Sequence, residues 1–74
     1  MNRVNDWKKL LEIANEDLKL YGYELHVFDY GDGYYICEIL KDGMSEEVYA
    51  ENFYEDELSD LVNEAWHYVK SNKC

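Results

Sequence analysis

The chain has 74 residues, 17 of them acidic and 7 basic, for a formal charge of −10. It is one domain at most, since independently folding units need roughly 50 residues or more. A chain this short buries only about 60% of the surface its unfolded form exposes, which excludes a two-lobed enzyme or a dinucleotide-binding fold of repeated strand–helix units. At 47% hydrophobic and 16% aromatic residues, with eight Tyr and two Trp, it is too apolar for the acidic disordered class.

The charge also excludes partners. Neutralising phosphates takes Lys and Arg, so direct nucleic-acid binding and an anionic membrane surface are both disfavoured. No apolar run approaches transmembrane length; the longest is Tyr34–Cys37. Met1–Asp6 has no apolar core or cleavage site and does not read as a secretory signal. Cys37 in a strand-like segment and Cys74 at the end make no disulfide framework, which suits a cytoplasmic chain with reduced thiols.

In chain order, Trp7, Leu10, Leu11, Ala14, Leu18 and Tyr21 recur at three- and four-residue spacing. They predict a helix over 5–21, capped by Asn5 or Asp6 and stopped at Gly22. Tyr23–Tyr30 alternates apolar Tyr23, Leu25 and Val27 with Glu24 and His26, a first strand. Gly31-Asp32-Gly33 is a tight turn and Tyr34–Leu40 a second strand. Lys41-Asp42-Gly43 is a hairpin turn, because Asp-Gly tolerates the positive φ it needs. Met44–Glu51 is a weaker third strand. Asn52 and Glu55 have capping-box spacing ahead of a second helix, whose stripe is Tyr54, Leu58, Leu61, Val62, Ala65 and Val69. Residues 1–74 thus predict a single α+β domain: a three-stranded antiparallel β-meander flanked by two amphipathic helices, in the order α-β-β-β-α. Leu10, Leu11, Ala14, Leu18, Leu25, Val27, Leu58, Leu61, Ala65 and Val69 are the expected core.

Charge is unevenly placed. Residues 1–20 hold four acids and four bases, whereas Asp42 to Glu64 holds nine acids and no base. On a helix with its core stripe centred near Leu58, Asp56, Asp60 and His67 point outward. Asp56, Asp60 and Glu64 form an i, i+4, i+8 row with about 6 Å of rise per step, a like-charge spacing that costs a few tenths of a kcal/mol per pair. Solubility and the helix dipole account for Glu55, Asp56 and Glu57 but not for Asp60, Glu64 or the absence of bases.

Catalytic and metal chemistry find little support. A calcium loop starting at Asp29 would need Glu where Leu40 stands. His26, His67, Cys37 and Cys74 lack zinc-ligand spacing. Cys37 reads as a buried, inert strand cysteine. No phosphate loop, Ser-His-Asp arrangement or cofactor motif is present in the sequence, so the expectation is no enzyme, no cofactor and no metal. Tyr21, Tyr23, Tyr35 and Trp7 are expected in the core. Tyr30, Tyr34, Tyr49, Tyr54 and Tyr68 exceed what a small core needs, and tyrosine beside acid suits a basic protein surface where Arg pairs and stacks.

The run from Glu46 to Asp60 (Glu46-Glu47-Val48-Tyr49-Ala50-Glu51-Asn52-Phe53-Tyr54-Glu55-Asp56-Glu57-Leu58-Ser59-Asp60), continuing to Glu64, gives a build that resembles the small acidic phage-encoded inhibitors that mimic DNA, notably anti-CRISPR proteins. The resemblance implies a non-enzymatic inhibitor in the host-cell cytoplasm, occupying the nucleic-acid site of a basic protein. Glu46, Glu47, Glu51, Glu55, Asp56, Glu57, Asp60 and Glu64 would be its partner-binding residues. Two other classes fit the same acidity: a toxin-neutralising immunity or antitoxin-like protein, and a small structural or assembly module. Two open sheet edges also leave room for an isologous homodimer.

Overall fold

The computed structural model describes residues 6–31 and 33–73, without the side chains of Asp6 and residues 51–53. Helix α1 (Asp6–Leu18) ends in a 3-10 turn (Lys19–Tyr21). Strands β1 (Tyr23–Asp29), β2 (Tyr35–Lys41) and β3 (Met44–Phe53) follow. A second 3-10 turn (Glu55–Glu57) leads into α2 (Leu58–Asn72). The strands form one antiparallel sheet in the order β1-β2-β3, the α+β meander that the periodicities predict.

Alternation decides which sheet face is covered. Leu25 pairs with Ile39 and Val27 with Cys37 across β1 and β2. These side chains join one cluster with Trp7, Ala14 and Leu18 of α1 and with Leu58, Leu61, Val62, Ala65 and Val69 of α2. Both helices therefore lie on the same face. The expected core is buried, with Leu10, Leu11 and Val27 packed at its margin. Cys37 is fully buried, and burial, with Glu38 adding to it, pushes its thiol up to about 12. The opposite face carries Phe28, Ile36, Leu40 and Val48, with His26 and Glu38 between them.

Local geometry corrects several expectations. After Leu18 the chain tightens to 3-10 winding, which carries Tyr21 off the apolar stripe and leaves it 43% exposed rather than in the core. Gly22 ends this turn at φ 84, its N–H bonded to the Lys19 carbonyl, and a Cβ there would meet the Asp42 carboxylate at 2.9 Å. Asp42 (φ 53) and Gly43 (φ 85) make the β2–β3 turn, as the Asp-Gly pair predicts. The third strand is the longest, not the weakest, and runs through Asn52, which is therefore no helix cap. Tyr54 takes that position instead. The expected cap Asn5, the side chains of Asp6 and Glu51, and Cys74 lie outside the described residues.

Register shifts explain how β3 persists with so many acids. Ile39 faces Glu47 and Leu40 faces Ser45, so Glu46 is an extra residue; Cys37 faces Ala50 and Glu38 faces Val48, so Tyr49 is another. Each bulge turns two consecutive side chains toward one side. Tyr49 and Ala50 both reach the core, and Glu46 and Glu47 both reach α2. On the other outer strand a side chain covers one edge position. Asn15 of α1 accepts from the Leu25 N–H at 2.7 Å and donates to the Leu25 carbonyl at 3.1 Å, so the outward backbone groups of Leu25 in β1 are satisfied.

Candidate partner-binding surface

The acidic segment begins where β3 hands over to α2. Tyr54 has extended backbone (φ −95, ψ 162), and its carbonyl accepts the Glu57 N–H at 2.9 Å. The Tyr54 N–H in turn donates to the Glu57 carboxylate at 3.4 Å. This reciprocal closure builds a 3-10 turn from three acids, Glu55, Asp56 and Glu57, at the positive end of the following helix. The Tyr34 ring packs on Tyr54 with centroids 5.3 Å apart.

Helix α2 then sorts its side chains by face. Leu58, Leu61, Val62, Ala65 and Val69 are buried; Asp60, Glu64 and His67 are exposed. Asp56 stands in the 3-10 turn, so the expected i, i+4, i+8 row is a helical pair, Asp60 and Glu64, preceded by a differently wound triplet. Glu55, Asp56, Glu57, Asp60 and Glu64 are all exposed, and none forms an ion pair among the described residues. Their field reaches nearby phenols. Burial first and then Glu55 push Tyr35 upward, and burial first and then Glu64 do the same for Tyr49. Tyr54 is raised by its Tyr34 neighbour and burial, with Glu57 adding to both.

Glu46 and Glu47 are different, although they belong to the same run of sequence. Lys73, near the end of α2, lies 3.0 Å from Glu46 and 2.9 Å from Glu47, and its side chain is only 16% exposed. Tyr68 donates to Glu47 at 3.1 Å. Bonding to Lys73, with Tyr68 assisting, holds the Glu47 carboxyl below its ordinary value, and the two carboxylates hold the Lys73 ammonium above its own. These two acids are paired within the fold, and the unpaired members of the expected set whose side chains are described are the five carboxylates of the 3-10 turn and α2.

Three groups escaped sequence reasoning. Asp17 of α1 accepts from the Trp66 Nε1–H at 2.8 Å and from Lys70 at 3.0 Å, tying α1 to α2 across 49 and 53 residues. Tyr49 and Tyr68, read as surplus, meet with tilted rings and centroids 5.0 Å apart and pack against the core. A cleft of about 520 Å³ gathers Glu12, Glu16, Glu24 and Asp42 around Lys19. These acids come from separate segments of mixed charge, so no window of sequence brings them together. Among the described residues no group of three or more His, Cys, Asp or Glu side chains is arranged to hold a metal ion, and no helix is long and apolar enough to cross a membrane. No protein-family model, curated protein or solved structure matches the chain.

Proposed function

We propose that this chain is a non-enzymatic protein-binding inhibitor. Its acidic ridge covers a basic nucleic-acid-binding site on another protein in the cytoplasm of the host cell, as the DNA-mimicking anti-CRISPR inhibitors do. The observation that carries the reading is the set Glu55, Asp56, Glu57, Asp60 and Glu64: five exposed carboxylates in the 3-10 turn and the first two turns of α2, with no ion-pair partner among the described residues. Three acids elsewhere are paired, Asp17 with Lys70 and Glu46 and Glu47 with Lys73, and the other described acids outside the ridge are scattered over α1, β1, β2 and the β2–β3 turn among basic residues. An uncompensated, single-sign ridge raises the local concentration of a basic partner and speeds encounter.

The test is competition. The immobilised chain is exposed to host extract, and bound protein is challenged with duplex nucleic acid. Displacement by the duplex, together with loss of capture by the Asp56→Asn, Asp60→Asn, Glu64→Gln variant, is the expected result. A partner held equally well by the triple variant, or indifferent to duplex, rules out phosphate mimicry and favours a toxin-neutralising or assembly role.

A further inference from the structure

The same ridge borders a concavity. Between α2 and β3 lies a groove of about 500 Å³ lined by Tyr49, Tyr68, Asn63, Glu64, His67 and Ser71. One wall is the Tyr49–Tyr68 pair, its rings in contact and tilted by 46°, and Glu64 supplies a carboxylate to the lining. We infer that this groove seats an arginine side chain of the basic partner, its guanidinium against the tyrosine wall and its N–H groups reaching Glu64.

The molecule already binds one cation in this manner next door. The Lys73 ammonium sits 5.8 Å from the Tyr68 ring centroid, clamped by Glu46 and Glu47 at 3.0 and 2.9 Å. Tyrosine face plus carboxylate is therefore a working cation site on this surface. The groove repeats the combination with Tyr49 and Glu64, and among the described residues no lysine or arginine lines it. Lys73 is already matched by two carboxylates, so the Glu64 charge in the groove is left to select a cationic occupant. Arginine fits better than lysine, because a planar fork of donors can stack on a ring while bonding a carboxylate and the Asn63 carbonyl at once, whereas an ammonium is a compact point charge. The inference rests on the acidic-ridge reading and narrows it from a basic surface to one anchoring side chain.

The experiment uses the full chain, labelled with 15N, and two soluble probes: N-acetyl-arginine amide and its neutral isostere N-acetyl-citrulline amide. Saturable shifts centred on Tyr49, Glu64 and Tyr68 are expected with arginine and not with citrulline. Glu64→Gln, an exposed change, should weaken the arginine site about five-fold, as expected for one solvent-facing charge pair. Glu12→Gln with Glu16→Gln, in the cleft on the other side of the molecule, should leave it unchanged. Equal response to citrulline, equal shifts at both clefts, or indifference to Glu64→Gln overturns the inference. The two failures are separable. If Asp56→Asn with Asp60→Asn abolishes partner capture while arginine does not seat in the groove, the groove falls and the ridge stands. If arginine seats but capture ignores every ridge substitution, the ridge falls.

Discussion

At the scale of single residues, two lysines decide what the acids mean. Lys70 and Lys73 sit at the end of α2, where cations complement the helix dipole, but their geometry turns them onto Asp17, Glu46 and Glu47. Asp17 is the sharpest test. Its bond from the Trp66 indole and then its contact with Lys70 hold its carboxyl below the ordinary 3.8. A depressed folded value means that this contribution is present above the unfolded value and is lost as pH falls through the folded one. Thermal melts of the parent should therefore fall away below about pH 4 more steeply than those of Asp17→Asn. The asparagine still accepts the indole bond but does not titrate. At neutral pH the variant should melt lower, and acid limbs that run parallel would show that the carboxylate is not held. Glu47, depressed by Lys73 and Tyr68, follows the same sign.

At the scale of elements, both helices and all three strands were legible in order, but the 3-10 turns at the helix ends and the inward pattern of β3 were not. Stripes such as Leu58, Leu61, Val62, Ala65 and Val69 declare a helix because burial repeats with its turn. Strand β3 reads poorly because its bulges break the two-residue alternation, so that Tyr49 and Ala50 are both inward and Glu46 and Glu47 both face α2. Tyr21 was misplaced for a related reason: the change from α to 3-10 winding leaves no mark in a hydrophobic pattern. The candidate site was half legible. Acid density marked the ridge, but which acids are free depends on Lys73, far away in sequence. The role of Asn15 was invisible from a polar residue in a helix. Its carboxamide makes both free-edge bonds of Leu25, so Asn15→Ala should cost about 1–2 kcal/mol, taking two partly buried hydrogen bonds at their net worth. It should also speed exchange of the Leu25 amide relative to the rest of β1. An unchanged Leu25 amide would mean that the edge is protected by α1 packing alone.

For the whole molecule, the −10 charge divides into acids that hold the fold and acids that strain it. The two classes should respond to neutralisation with opposite signs. Glu64→Gln, beyond the first turn of α2 and so outside the reach of the helix dipole, relieves the like-charge Asp60–Glu64 pair, so the melting midpoint should rise by about 1–4 °C at low salt, from a few tenths of a kcal/mol for the relieved pair. The gain should vanish near 1 M salt, where the screening length shrinks to about 3 Å. Glu46→Gln with Glu47→Gln removes the same kind of charge but leaves the largely covered Lys73 ammonium without a carboxylate, so its midpoint should fall. Partner capture should follow the opposite order, weakened in the Glu64 variant and retained in the Glu46 and Glu47 variant wherever that variant remains folded. A surface that lowers stability and is needed for binding is the expected signature of charge kept for a partner. Melts that fall equally for both variants would show that the ridge acids are internally compensated, and the inhibitor reading would lose its footing.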